Sequence, residues 1–138
     1  MQMSVHLHFQ GNCAEAFEFY KEIFSAKNAF SMKYSEAPEG SPVQAEWKDK
    51  IMHASISLGD GTLMGCDAPQ GSSTPMGGFQ ISVQSKDSAE VKRIYEALAE
   101  GGSVQMPLTK TFWSPLFGMC TDKFGVAWMV GMTGAEHP

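Results

Sequence analysis

Two stretches of this chain repeat their apolar positions with the period of an α-helix. In the first, Ala16, Phe17, Tyr20, Ile23 and Phe24 form one stripe, and Glu15, Glu18 and Glu22 share the opposite face. Asn12 is placed to cap its start, with Glu15 three residues on, as in a capping box. In the second, Val91, Ile94, Tyr95 and Leu98 form the stripe. Asp87 is the expected cap, Glu90 lies three residues later, and Gly101 with Gly102 supplies the left-handed stop.

Each predicted helix follows a short strand-like run, Val5–Phe9 before the first and Phe79–Val83 before the second. Each is followed by three more. After the first helix come Ala29–Tyr34, Ile51–Leu58 and Thr62–Cys66, with Asp60-Gly61 as a hairpin signal between the last two. After the second come Ser103–Phe112, Leu116–Thr121 and Ala127–Val130, with a turn over Asp122–Gly125. The order β-α-β-β-β therefore occurs twice, with the same cap chemistry, which points to an internal duplication. The predicted class is α+β, one domain over residues 1–138, built of half-modules at about 3–68 and 77–132 and joined by a Gly/Ser/Pro-rich link at 69–78. The long stretch 36–49 reads as a loop. Two sheets covered on one face only can bury their free faces against each other, round a cavity, or in a homodimer.

Composition narrows the function classes. The net charge of −5, with scattered basic residues, opposes binding to a phosphate backbone, so no nucleic acid is expected. Apolar runs are too short for a membrane span. The start MQMSVHLHFQ lacks the basic-then-apolar pattern of a secretory signal, so a cytoplasmic protein is expected. Cys13, Cys66 and Cys120 are odd in number and widely spaced, the pattern of reduced, partly buried thiols.

Particular strings resemble a known family. Leu7-His8-Phe9-Gln10-Gly11-Asn12, followed by Ala16, Phe19 and Tyr20, is similar to the opening of PhnB-like proteins of the vicinal-oxygen-chelate superfamily. That superfamily includes glyoxalase I, bleomycin-resistance proteins and extradiol dioxygenases. Met64-Gly65-Cys66-Asp67-Ala68-Pro69 resembles their end of module one. Most specific is the C-terminal series Met106-Pro107-Leu108, Thr111-Phe112-Trp113, Phe117-Gly118, Asp122, Phe124-Gly125 and Trp128, which is similar to the C-terminal part of the same family. One departure is Phe24-Ser25-Ala26, where the family often has glycine. The resemblance implies two βαβββ modules forming a curved mixed sheet around a cleft, commonly in a homodimer. The methyltransferase label often attached to the group finds no support in the residues. No Gly-rich strand-to-helix loop is present, and the chain is short for a full S-adenosylmethionine-binding sheet. Whether the chain is an enzyme is left open.

The resemblance also implies where a metal would be held, by His and Glu from the first and last strands of each module. Counting along this chain, those positions fall near Val5, Met64 or Gly65, Gly78 and Met129, none a good ligand for a hard divalent cation. No metal and no cofactor are therefore expected. A one-residue slip in the first strand reverses its faces. His6 and His8 then turn to the cleft, where His53 can join them as an alternative three-histidine site.

The expected activity is metal-free binding of a small apolar or amphipathic molecule. His8, His53, Met64, Trp113, Phe117 and Trp128 are the candidate pocket residues: imidazoles as polar groups, aromatics and thioether as an adaptable apolar lining. A metal-dependent lyase, isomerase or dioxygenase on the histidines is one alternative. A dimeric interaction module without catalysis is another. Asp67 and Asp122 are read as turn-capping groups.

Overall fold

The computed structural model describes residues 1–41, 43–69, 72 and 74–133. The chain forms two compact units, Met1–Pro75 and Met76 onwards. Among the described residues each carries one α-helix and one four-stranded mixed sheet.

Unit 1 runs β1 (Val5–Phe9), α1 (Cys13–Phe24), β2 (Ala29–Lys33), β3 (Ile51–Leu58) and β4 (Gly61–Asp67), with spatial order β1-β4-β3-β2. β1 pairs parallel with β4, whereas β3 pairs antiparallel with both β4 and β2. Leu7 and Phe9 of β1, Ala54 and Ile56 of β3 and Leu63 of β4 are buried, as are Cys13, Ala16, Phe17, Tyr20 and Ile23 of α1. One sheet face therefore packs on the apolar stripe of the helix. Gly65 lets the helix close in, since a Cβ there would meet Phe17 Cε2 at 2.7 Å.

Unit 2 repeats the plan: β5 (Ile81–Ser85), α2 (Ser88–Ala99), β6 (Ser103–Thr109), β7 (Phe117–Thr121) and β8 (Ala127–Met132), ordered β5-β8-β7-β6. β5 pairs parallel with β8. Val91, Ile94, Tyr95 and Leu98 face the sheet, where Cys120, Trp128 and Val130 are buried. Asp87 caps α2 by accepting from the Ala89 amide at 2.9 Å, and Gly101 takes a φ of +77° beyond the helix end.

Four expectations need correction. Asn12 makes no side-chain cap. The first-turn amide of Cys13 instead donates to Asp67, a residue of β4. The hairpin loop is Gly59-Asp60, since Leu58 already pairs with Gly61. β5 begins two residues later than expected, because Phe79 is 39 % exposed and Ile81 and Val83 supply the inward side chains opposite Trp128 and Val130. β6 ends at Thr109, short of the almost fully exposed Phe112. It also carries register shifts around Pro107, as an edge strand tolerates.

Candidate functional site

Alternation along β1 decides which residues reach the face of sheet 1 away from α1. Leu7 and Phe9 are buried against the helix, so His6 and His8 project from the other face, and both are exposed. In β4, Leu63, Gly65 and Asp67 face the helix, which puts Met64 and Cys66 beside His6 and His8 in the parallel register. His53 and Ser55 of β3 and Phe30 and Met32 of β2 share that face.

The side chains converge there. The His6 and His8 rings lie 5.1 Å apart between centroids, and the His53 ring stacks 6.0 Å from His6. Phe30 borders the group, 6.1 Å from His53. Cys66 Sγ lies 3.8 Å from His8 Nδ1. Single ligand atoms of His6, His8 and Cys66 all fall within 4.8 Å of one another. Partial loss of hydration at the sheet surface lowers the pKa of His6, helped by repulsion from His8 and His53. Burial raises the Cys66 thiol, and the negative charge of Asp67 adds to this.

Asp67 supports the cluster from behind. Its Oδ1 accepts from the amides of Gly11 at 2.8 Å and Cys13 at 3.0 Å, and Oδ2 accepts from the Ile51 amide at 2.8 Å. One buried carboxylate thus ties β4 to the start of α1 and the start of β3. It also occupies the helix N-terminus that an anionic cofactor group would need. The Tyr34 hydroxyl donates to the Asp67 carbonyl at 2.7 Å.

The six expected pocket residues are divided equally between the two units. His8, His53 and Met64 share the open face of sheet 1. Trp113, Phe117 and Trp128 belong to unit 2. Trp128 is fully enclosed, its indole N–H donating to Asp122 Oδ2 at 2.8 Å, so it is core and not pocket. Phe117 is 7 % exposed because its ring lies over Gly131, where a Cβ would sit 3.0 Å from Cδ2. Trp113 stacks edge-on between Phe112 at 4.7 Å and Phe117 at 5.3 Å. The counted metal position at Val5 is also corrected: it shares the helix-side parity of Leu7 and Phe9. With Val5 turned away, His6 and His8 are the first-strand donors on the open face, but thioethers at Met64 and Met129 and no side chain at Gly78 leave the superfamily's His and Glu set incomplete. Sequence reasoning overlooked Cys66 as a member of the cluster. Its parity with Met64 was readable, but its neighbour His8 is set by the β1–β4 pairing.

The family model described as 3-demethylubiquinone-9 3-methyltransferase matches residues 1–131. This chain belongs to that PhnB-like family. Protein YjdN of Escherichia coli (strain K12) is 31 % identical over 140 residues, covering 96 % of this chain and 95 % of that protein. The crystal structure of protein PA1353 from Pseudomonas aeruginosa is 44 % identical, covers 96 % of this chain and 98 % of that one, and superposes with a TM-score of 0.86. A PhnB protein from Bacillus cereus is 23 % identical, covering 96 % of this chain and 100 % of that one, with a TM-score of 0.76. Solved glyoxalase/bleomycin-resistance and fosfomycin-resistance proteins, at 13–14 % identity and TM-scores of 0.62–0.67, share the vicinal-oxygen-chelate fold.

Proposed function

We propose that this chain binds a small amphipathic molecule over the open face of sheet 1. The observation that carries the reading is the gathering of His6, His8 and His53, with Phe30 beside them, at ring separations of 5.1–6.1 Å on one uncovered sheet face. Imidazoles offer ring nitrogens for hydrogen bonds, and their faces stack on flat or apolar groups. Met32 and Met64 add polarisable, adaptable apolar surface on the same face. The methyl transfer in the family's description gains no support from this arrangement, since the amides that open α1 are taken by Asp67.

The same reading places the protein in the cytoplasm, and no described helix is long and apolar enough to cross a membrane. It also includes a homodimer, for which Phe79, Val104 and Phe112 offer exposed apolar surface in unit 2.

The test is thermal unfolding of tag-free protein with EDTA present, across a panel of aromatic and amphipathic metabolites. A saturable rise in Tm that disappears in His53→Ala supports the site. No rise with any compound, or one unaffected by His53→Ala, overturns it.

A further inference from the structure

The thiol of Cys66 does not enter the binding role just described, and its position beside two imidazoles is unusual. We propose that His6, His8 and Cys66 form a binding site for one divalent cation of the zinc class. The cation would be held by two neutral imidazoles and a thiolate, with a fourth position open. The inference rests on the open face of sheet 1 being the functional face.

The backbone brings the three together by rule. Residues two apart in a strand project from the same face, which aligns His6 with His8. Parallel pairing then sets Cys66 directly beside His8. The distances are close to those a metal needs. With bonds of about 2.0–2.1 Å to nitrogen and 2.3 Å to sulfur, a tetrahedral zinc holds its N and S ligands ~3.3–3.7 Å apart. Here Cys66 Sγ and His8 Nδ1 are 3.8 Å apart, and all three ligand atoms lie within 4.8 Å. Side-chain adjustments of about 1 Å close the site without moving a strand.

The donor set also selects the ion. Imidazole with thiolate suits zinc-class metals and is a poor match for magnesium or calcium. The nearest buried carboxylate, Asp67, faces the helix side and spends both oxygens on backbone amides, so it is no ligand. His53 lies outside the trio and stacks on His6. The site takes two imidazoles from β1 and a thiol from β4, so its donors differ from the His and Glu set of the superfamily. On binding, the Cys66 proton leaves to solvent and a sulfur–metal bond forms, and nothing is oxidised or reduced.

Cobalt(II) is the probe, because zinc is spectroscopically silent. Tag-free protein is freed of metal and titrated with cobalt. Saturation at one ion per chain is expected, with a near-ultraviolet thiolate-to-cobalt charge-transfer band that zinc abolishes. Cys66→Ser should remove the band, and the exposed His6→Gln, which leaves the core untouched, should weaken binding by roughly tenfold or more. His53→Gln should keep the band. Absence of the band at excess cobalt, its survival in Cys66→Ser, or unchanged affinity in His6→Gln overturns the proposal. The two readings separate cleanly. An EDTA-independent Tm rise with an organic ligand but no cobalt band removes the metal and leaves the binding role standing.

Discussion

The indole N–H of Trp128 donates to Oδ2 of Asp122 at 2.8 Å, with both side chains buried beneath α2 or at its edge. The other oxygen of Asp122 accepts from the amides of Phe124 at 2.8 Å and Val126 at 3.1 Å. A single carboxylate therefore holds the β7–β8 turn and fixes the largest side chain of the unit 2 core. Asp122→Asn keeps the shape but sets an amide N–H₂ against one of these donors. It should cost about 2–3 kcal/mol, read as a lower urea midpoint with unchanged slope.

Asp67 has three backbone donors, drawn from two segments remote in sequence. Asp67→Ala leaves three amide groups in or near the core without an acceptor. A loss of roughly 3–5 kcal/mol is expected. Hydrogen exchange should show the first turn of α1 and the start of β3 losing protection together. If only α1 responds, the link to Ile51 is not a stabilising one.

Ser25 ends α1 with a φ of +49°, and among the described residues it is the one non-glycine with positive φ. Its amide and that of Ala26 bond back to Glu22 and Lys21. Ser25→Gly should raise stability by about 0.5–1 kcal/mol, since relief of the left-handed strain outweighs the added freedom of the unfolded chain. Denaturant melts of the two proteins at one pH decide it.

His6 binds its proton more weakly in the folded chain than in the unfolded one, whose value is near 6.5. Well above that pH neither state is protonated and full stability is present. As the pH falls through 6.5, the unfolded chain takes up the proton first, and stability declines until the lower folded value is passed. NMR titration should give His6 a midpoint below 6.5, and His6→Gln should flatten the acid-side fall in urea stability. An ordinary midpoint for His6 would show that its ring is more fully hydrated in solution than the sheet-face packing implies.

Cys13 and Cys120 are sealed in the two cores. Burial, with the charge of Asp122, pushes Cys120 up to about 11, and burial raises Cys13 well beyond an ordinary thiol. At about pH 8 a thiol titrating near 11 is thiolate in roughly one molecule in a thousand. Alkylation of native protein at these two positions should be slow and should accelerate sharply in denaturant. Mass spectrometry of the labelled peptides separates them from Cys66.

Much of the fold was legible because periodicity is local. The helix stripe ending at Ile23 and the strand Ile51–Leu58 follow from spacing alone. What failed was non-local. Asn12 has the chemistry of a cap, but a carboxylate more than fifty residues away reaches the Cys13 amide instead. Trp128 and Phe79 look alike as strand aromatics in the sequence, yet Trp128 is enclosed within β8 while Phe79 precedes β5 and is exposed. For the site, the His6/His8 face turned on a one-residue parity that only the burial of Leu7 and Phe9 resolves. The place of Cys66 depends on the crossover that lays β1 against β4.

Cys66 and Asp67 are neighbours in the chain yet point to opposite sides of the sheet. An insertion or deletion of one residue within β4 would exchange them, sending a thiol under the helix and a carboxylate among the imidazoles. Fold and site would fail in the same event. Evolution can therefore retune the cluster by substitution, but it cannot change the length of this strand without rebuilding both faces.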